Sequence, residues 1–446
     1  MVLPVATRSD RRQARRADAV TLLTFFLVLL FAIPAKYVVG PLGGAGSPAQ
    51  LLGLAGALWW AAHRLMQPAS QQPVGQPVRR AMMLFCLTVL IGYVAATTRP
   101  IGQRELQSAD MGLLGLMSWL GLFLVVCDGV PSLPRLEALL RRVSIAGGLI
   151  AALGVAQFFT GRAFTNYLQF PGLTANSILT SVAGRDGFNR PASTALHPIE
   201  FGVTLTMLLP FALHFAFHDV HRSRVRRWAP VLAIAAAVPL SVSRSAIVGV
   251  AVALAFLLPT WPRPQRRVAY LGIVGILGAA FVTVPGILGT LTGLFTAVGS
   301  DSSAQSRTGS YALAWEFITR APVFGRGFST FLPSYRILDN QYLGVLIELG
   351  FVGLTALLTL FVLGLREALR LHRRCQDPAL RSLAQALAAS AAAGACSFGL
   401  FDAFSFPQVA NLMFLVLGAT AALRRLTVTG PHQVAWSARP WLRPQP

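Results

Sequence analysis

"FNRPASTALHPIEFGVTLTMLLPFAL", residues Phe188 to Leu213, leaves a polar loop and enters an apolar run long enough to cross a bilayer, for which a perpendicular helix needs roughly 20 residues. Runs of this kind recur from end to end of the 446-residue chain, which is 54% hydrophobic and 12% charged with a mean hydropathy of +0.60. Such a composition excludes an ordinary soluble domain and predicts an all-α polytopic integral membrane protein.

Candidate spans fall at Ala19–Val38, Gln50–Ala62, Ala81–Ala96, Met111–Cys127, Val143–Thr160 and Pro198–Phe217. Six more fall at Trp228–Pro239, Ala246–Pro259, Val268–Val284, Tyr342–Leu365, Leu383–Phe401 and Pro407–Leu423, giving about twelve. Several are short, so flanking turns extend them or the bilayer thins around them.

A formal charge of +22 would indicate nucleic acid in a soluble protein. Here it follows topology instead. With the N-terminus on the cytoplasmic side, every inside segment is basic, and together these segments hold 27 of the 38 lysines and arginines, as the positive-inside rule requires. Both termini are therefore expected inside the cytoplasmic (inner) membrane, and no nucleic-acid partner is expected.

The stretch "RSDRRQARRADAV" lacks the small-residue cleavage site of a signal peptide and reads as the flank of an uncleaved first span. Cys86, Cys127, Cys375 and Cys396 lie in spans or on the inner side, so no disulfide is expected. The reading is one polytopic domain over 1–446, with a large external loop at 285–341 and a proline-rich, disordered inside tail at 427–446.

Eleven basic residues remain on the outer side, among them Arg190, Arg244, Arg307, Arg326 and Arg336. Two outer loops are long, at Gly161–His197 and Pro285–Gln341, and long loops in compact proteins are usually functional or disordered. In the second, Tyr311, Ala314, Trp315 and Ile318 recur at i, i+3, i+4 and i+7, which predicts an amphipathic helix on the outer leaflet or capping the bundle.

Three constellations could carry chemistry. Arg190, His197 and Glu200 flank the start of the sixth span, where Ser193 or Thr194 could cap a helix whose free amides favour an anion. Arg190 could also meet lipid headgroups and His197 cap the interface, whereas a carboxylate such as Glu200 just inside lipid is costly unless paired or functional. Arg244 sits among Ser241, Ser243 and Ser245 in a short hairpin, placed for bidentate contact with phosphate oxygens or with lipid phosphates. Asp339 precedes the tenth span and Glu348 lies inside it; Asp339 could cap the helix or accept a proton from a sugar hydroxyl. No phosphate loop, metal-spaced histidine pair or nucleophile elbow occurs, so neither a metal nor another cofactor is expected.

Arg190 with "HPIEFG", then "SVSRSAIVG", "SRTGSYALAWEFITRAPVFGRGF" and "DNQYLGVLIELGFVGL", in that order and topological placement, resemble the O-antigen ligase and polymerase superfamily over roughly Gly187 to Leu360. The N-terminal spans match it only in hydropathy. The resemblance implies a metal-independent inner-membrane glycosyltransferase acting on an undecaprenyl-diphosphate-linked glycan donor at the outer face. It implies that arginines neutralise the donor diphosphate, a role falling on Arg190 and Arg244, with Arg326 or Arg307 helping. The ligase branch usually has a histidine, implied to be catalytic, where this chain has Asp339. The Asp-Asn pair looks more like the polymerase and exopolysaccharide branches.

The expectation is thus a polysaccharide polymerase that transfers the glycan to a lipid-linked acceptor glycan, with Asp339 or Glu200 as base and His197 beside them. The lipid bilayer and other polysaccharide assembly proteins are its expected partners. Ligation to lipid A-core or protein is the sister alternative. An anion transporter is a further one, disfavoured because no inverted repeat and no broken span are legible.

The topology predicts that single cysteines at Ser302 and Gln376, in a cysteine-free background, label differently with an impermeant maleimide. The first should react on intact cells and the second only after permeabilisation. The opposite pattern would invert the assignment.

Overall fold

The structure, a computed structural model, describes residues 18–66, 75–176, 183–185, 187–296 and 302–429. Among them are α1 Ala19–Phe31, α2 Pro48–Met66, α3 Pro77–Thr97, α4 Gln103–Gly129, α5 Leu133–Thr160, α6 Pro198–His218 and α7 Arg224–Leu240. The chain continues with α8 Arg244–Leu257, α9 Arg263–Thr283, α10 Ile287–Thr296, α11 Ser302–Arg320, α12 Gln341–Arg374, α13 Pro378–Phe398 and α14 Pro407–Thr429. Each of the twelve hydropathy segments overlaps one of these helices, but the first, expected over Ala19–Val38, is helical only to Phe31 and ends in the strand Tyr37–Val38. Seven, α3, α4, α5, α6, α9, α12 and α14, are long and apolar enough to cross a membrane by length and composition. Helix continues to Thr429, three residues into the expected tail, and 430–446 lie outside the described residues.

Strands are minimal. Tyr37–Val38 pairs antiparallel with Thr174–Ala175, and Ala183–Arg185 with Phe188–Arg190.

Helix α6 is the hub, with 94% of its most apolar window buried inside the protein, and α14 follows at 83%. At the other extreme only 6% of the window of α9 is buried, so its apolar surface is left for lipid. Where helices must approach closely, small residues permit it: a Cβ on Gly121 of α4 would lie 2.2 Å from the carbonyl of Gly53 in α2.

Helix α11 docks by a narrower stripe than the periodicity predicts. Ala314 and Ile318 are buried against Leu338 and Ile347, but Tyr311 and Trp315 are 53% and 62% exposed. The contact is made by the side of the helix centred on Ser310, Ala314 and Ile318, and the two aromatics face away from it.

One long span is broken, contrary to the sequence reading. Within α12, Gly350 adopts φ +63° and ψ −165°, which releases backbone groups on both sides from the helical ladder. The loop after α11 takes them up. Arg326 N–H donates to the Ile347 carbonyl (3.1 Å) and Gly327 N–H to that of Glu348 (2.8 Å). In return Phe351 N–H donates to the Pro322 carbonyl (2.9 Å) and Val352 N–H to that of Val323 (3.2 Å). The "PVFGRG" loop is thus stitched into the break, which satisfies backbone that lipid could not.

Gly350 has no room for a side chain: a Cβ would lie 2.3 Å from the Val323 carbonyl oxygen, at a φ that L residues avoid. Gly350→Ala should therefore destabilise by at least ~1–3 kcal/mol, read as a drop in the detergent unfolding temperature of the purified protein. Gly278→Ala in α9, where a Cβ meets nothing within 4 Å, should leave that temperature unchanged or raise it.

Candidate active site

One end of the bundle gathers three helix starts, α6, α12 and α14, around a short turn. That turn, "FDAFSFPQ", residues Phe401–Gln408, links α13 to α14 and touches both of the other starts.

Toward α6, Glu200 is fully buried. Its carboxylate accepts from Leu196 N–H (2.7 Å) and from Gln408 N–H (2.7 Å), so one side chain satisfies an amide of its own entry loop and an amide of the first turn of α14. Gln408 Nε2 donates to Thr194 Oγ1 (3.1 Å), adding a second tie across the same seam. Glu200 holds the two helix starts together and has no surface from which to act as a base.

His197, not Ser193 or Thr194, caps α6. Its Nδ1 accepts from Ile199 N–H at 3.1 Å. Ser193 is drawn elsewhere: its hydroxyl donates to the Ile150 carbonyl (2.8 Å) and its N–H to Gln157 Oε1 (2.7 Å), with the backbone at φ +55°. Burial, with the positive charge of Arg190 nearby, lowers the His197 pKa to about 4. The imidazole is neutral near pH 7, as capping by an unprotonated nitrogen requires. Its ring lies 6.3 Å from that of Phe406 in the turn. Arg190 leaves the short strand Phe188–Arg190, and its Nε approaches the Ser241 carbonyl at the C-cap of α7 (3.5 Å). That brings Arg190 to the hairpin whose next helix begins at Arg244.

Toward α12, Gln341 N–H donates to the Phe401 carbonyl (3.2 Å), and its Oε1 accepts from Phe404 N–H (2.7 Å). Asn340 is the N-cap, its Oδ1 accepting from Leu343 N–H at 3.2 Å. The capping role considered for Asp339 therefore belongs to its neighbour. Asp339 lies close enough to Asp402 for its charge to matter: burial first, and then Asp339, push the Asp402 carboxyl up to about 6.

A cavity of about 430 Å³ opens between α4, the residues after Arg326 and the turn, with Ser329, Arg336, Asn340, Glu348, Asp402 and Asn411 among its lining. Glu348 accepts from Phe331 N–H at 3.2 Å. Arg326 sits at a separate cluster on the flank: it pairs with Glu105 of α4, and its guanidinium lies 4.9 Å and 5.1 Å from the ring centres of Phe317 and Tyr335. Tyr335 donates to the same carboxylate (2.5 Å), and Arg99 reaches it at 3.5 Å while donating to the Arg326 carbonyl. Arg307 lies in α11, with its side chain outside the described residues.

The turn thus touches His197 and Glu200 at the start of α6 and Gln341 at the start of α12, and it lines a cavity with Glu348, while Arg190 touches the hairpin that leads to Arg244. Sequence reasoning missed Asp402, Asn411 and Glu105. Their one legible signal is a carboxylate or amide within or beside an apolar run, the feature that singled out Glu200.

Residues 229–358 match the family described as O-Antigen ligase. The matched stretch runs from α7 to the middle of α12 and includes Arg244, Arg307, Arg326, Asp339 and Glu348. It bears out the resemblance to the O-antigen ligase and polymerase superfamily. No curated protein matches the chain.

Glu200 and Asn340 each secure a helix start, and the cost of losing either is measurable. Glu200→Gln replaces one accepting oxygen with an amide nitrogen facing a backbone N–H, and should cost ~1–3 kcal/mol. Asn340→Ala should cost ~0.5–2 kcal/mol through the lost cap. Asp339→Asn should change stability less than either, and thermal unfolding of the three variants beside the parent gives the ranking.

Proposed function

We propose that this protein is a polysaccharide polymerase. It transfers a glycan from an undecaprenyl-diphosphate donor to the sugar end of a second lipid-linked glycan, at the outer face of the cytoplasmic membrane. The observation that carries this reading lies at one end of the bundle, where the Arg190 strand touches the Arg244 hairpin and the turn packed against His197 also binds the start of α12 and lines a polar cavity.

In the proposed step a hydroxyl oxygen of the acceptor attacks the donor's anomeric carbon, and the bond from that carbon to the diphosphate oxygen breaks. The bonding pair leaves with the diphosphate. Asp339 takes the proton from the attacking hydroxyl, so the new glycosidic bond forms with inversion. Diphosphate is a good leaving group only when its charge is met. Arg190 and Arg244 supply fixed guanidinium groups to that charge, with Arg307 or Arg326 in support, and preorganised charges of this kind need no reorganisation as the bond breaks. His197 does not take part in proton transfer in this scheme, because its accepting nitrogen is committed to the cap.

The reading keeps Asp339 as base over Glu200 because both oxygens of Glu200 are held by backbone amides. Ligation to a lipid A-core or protein acceptor would use the same donor chemistry and differs in what enters the acceptor side. The break in α12, a feature found in transporters, does not favour transport here, since the loop from Pro322 to Gly327 hydrogen-bonds the groups that the break frees.

Arg190→Ala or Arg244→Ala should abolish incorporation of lipid-diphosphate-linked repeats into longer chains while leaving folded protein in the membrane. Lysine should rescue poorly, having lost the bidentate geometry. Asp339→Asn should slow transfer by roughly 10²–10⁴-fold, the usual worth of a general base. Near-parental polymer in all three variants would remove the reading, and product only on purified lipid A-core would replace polymerase by ligase.

A further inference from the structure

The cavity beside Asp402 has the lining of a sugar site. Its volume of about 430 Å³ falls within the ~300–1,000 Å³ usual for small-ligand pockets. Phe404, stacked on Trp119 at 4.8 Å, and Phe328, edge-on at 6.1 Å from Phe404, give the cavity an aromatic floor built mainly from ring edges. Such a floor suits the C–H face of a pyranose ring.

The wall offers hydrogen-bond acceptors. Asn411 is 4% exposed, and its Nδ2 donates to the Pro407 carbonyl at 2.8 Å, which fixes the orientation of the amide. Its Oδ1, also buried, accepts no hydrogen bond among the described residues. A buried acceptor left in that state is costly, and a ligand hydroxyl would satisfy it. Asp402 adds a carboxylate in the same lining, beside Ser405.

The charge of the lining selects among sugars. Asp402 stands in it with one cation, Arg336, whose Nε donates to Ser310 of α11 at 3.1 Å. Asp339 adds a further negative charge beside Asp402. An acidic sugar would bring its carboxylate into this field and be repelled.

We propose that this cavity is the acceptor-saccharide subsite and that it takes an uncharged pyranose, laid on the aromatic floor, with hydroxyls donating to Asn411 Oδ1 and to Asp402. The assignment of the bound sugar as acceptor rests on the glycosyl-transfer reading above. The preference for an uncharged ring rests on the cavity alone.

The test is saturation-transfer NMR on the full-length protein in lipid nanodiscs. The probes are the methyl glycosides of glucose, galactose and N-acetylglucosamine, with methyl glucuronide as the acidic ring of similar shape. At least one neutral glycoside should bind, and the glucuronide at least tenfold more weakly. Asn411→Leu should weaken binding about tenfold, the equivalent of one hydrogen bond.

Gly115→Phe should block the cavity without unfolding the protein. A Cβ there meets only Gln50 Nε2 at 3.9 Å and Trp119 Cζ2 at 4.0 Å, and any residue but proline suits a helix interior better than glycine. Thermal unfolding is measured for both variants, so an unstable Asn411→Leu leaves Gly115→Phe to decide. The subsite is overturned if no neutral glycoside binds, if the glucuronide binds as tightly, or if a stable Gly115→Phe binds like the parent. Arg244→Ala should bind the neutral glycoside normally while losing transfer. A protein that binds neutral sugar in this cavity but never transfers glycan keeps the subsite and loses the polymerase reading, and one that transfers glycan but fails the cavity tests does the reverse.

Discussion

Backbone amides and carbonyls at membrane depth must find partners inside the protein, because lipid offers none. The architecture at the site end follows from this constraint. Helix α12 is interrupted at Gly350 and α6 begins after an irregular loop, while α13 and α14 are joined by a turn of a few residues. Each interruption is closed by a specific group: the Pro322–Gly327 backbone for α12, His197 for α6, Glu200 for α14 and Gln341 for the turn. These closures fasten the interrupted elements to one another, so the irregular backbone that a binding site needs becomes a rigid assembly. A site held by secondary-structure ends and buried hydrogen bonds is more precise than one carried on a free loop.

The two ends of the bundle treat charge differently. Away from the site, Arg135 pairs with Asp18 (2.5 Å), Arg141 with Asp219 (2.8 Å) and Arg79 with Asp128 (3.2 Å), while Arg370 and Arg424 share Glu367. There the basic excess is partly neutralised and also serves to tie helices together. At the site end, Glu105 collects Arg326, Arg99 and Tyr335 on the flank of the cavity. Two guanidinium groups around one carboxylate leave a net positive cluster next to the cavity.

Hydropathy made the helices legible because a span is a local property: each apolar run needs only its own residues to be recognised. The break in α12 was not legible for the opposite reason. "ELGFVG" reads as uninterrupted span, and only the arrival of the Pro322–Gly327 loop from well upstream gives the Gly350 conformation its partners. The cap of α6 was misplaced by one kind of local rule, since Ser193 and Thr194 are better cappers than histidine in general. Tertiary bonds to Ile150, Gln157 and Gln408 claim both residues. Asp402 escaped notice because it falls just past the end of the span assigned to Leu383–Phe401 and only five residues before the next, so it looked like connection.

The contrast between Glu200 and Asp339 bears on how an acidic residue near lipid should be weighed. Expense alone pointed to Glu200, and the expense is real, but it is met by two backbone donors at 2.7 Å. A fully buried carboxylate that holds a backbone N–H on each oxygen is committed to the joint it maintains and has no surface open to a substrate. Asp339 lies at a helix start whose cap its neighbour already provides, and its charge is felt by Asp402 on the cavity wall. Burial cost therefore identifies residues that must be doing something, and the hydrogen-bond inventory decides whether that something is architecture or chemistry. By that criterion Glu200 belongs to the architecture of the joint between α6 and α14.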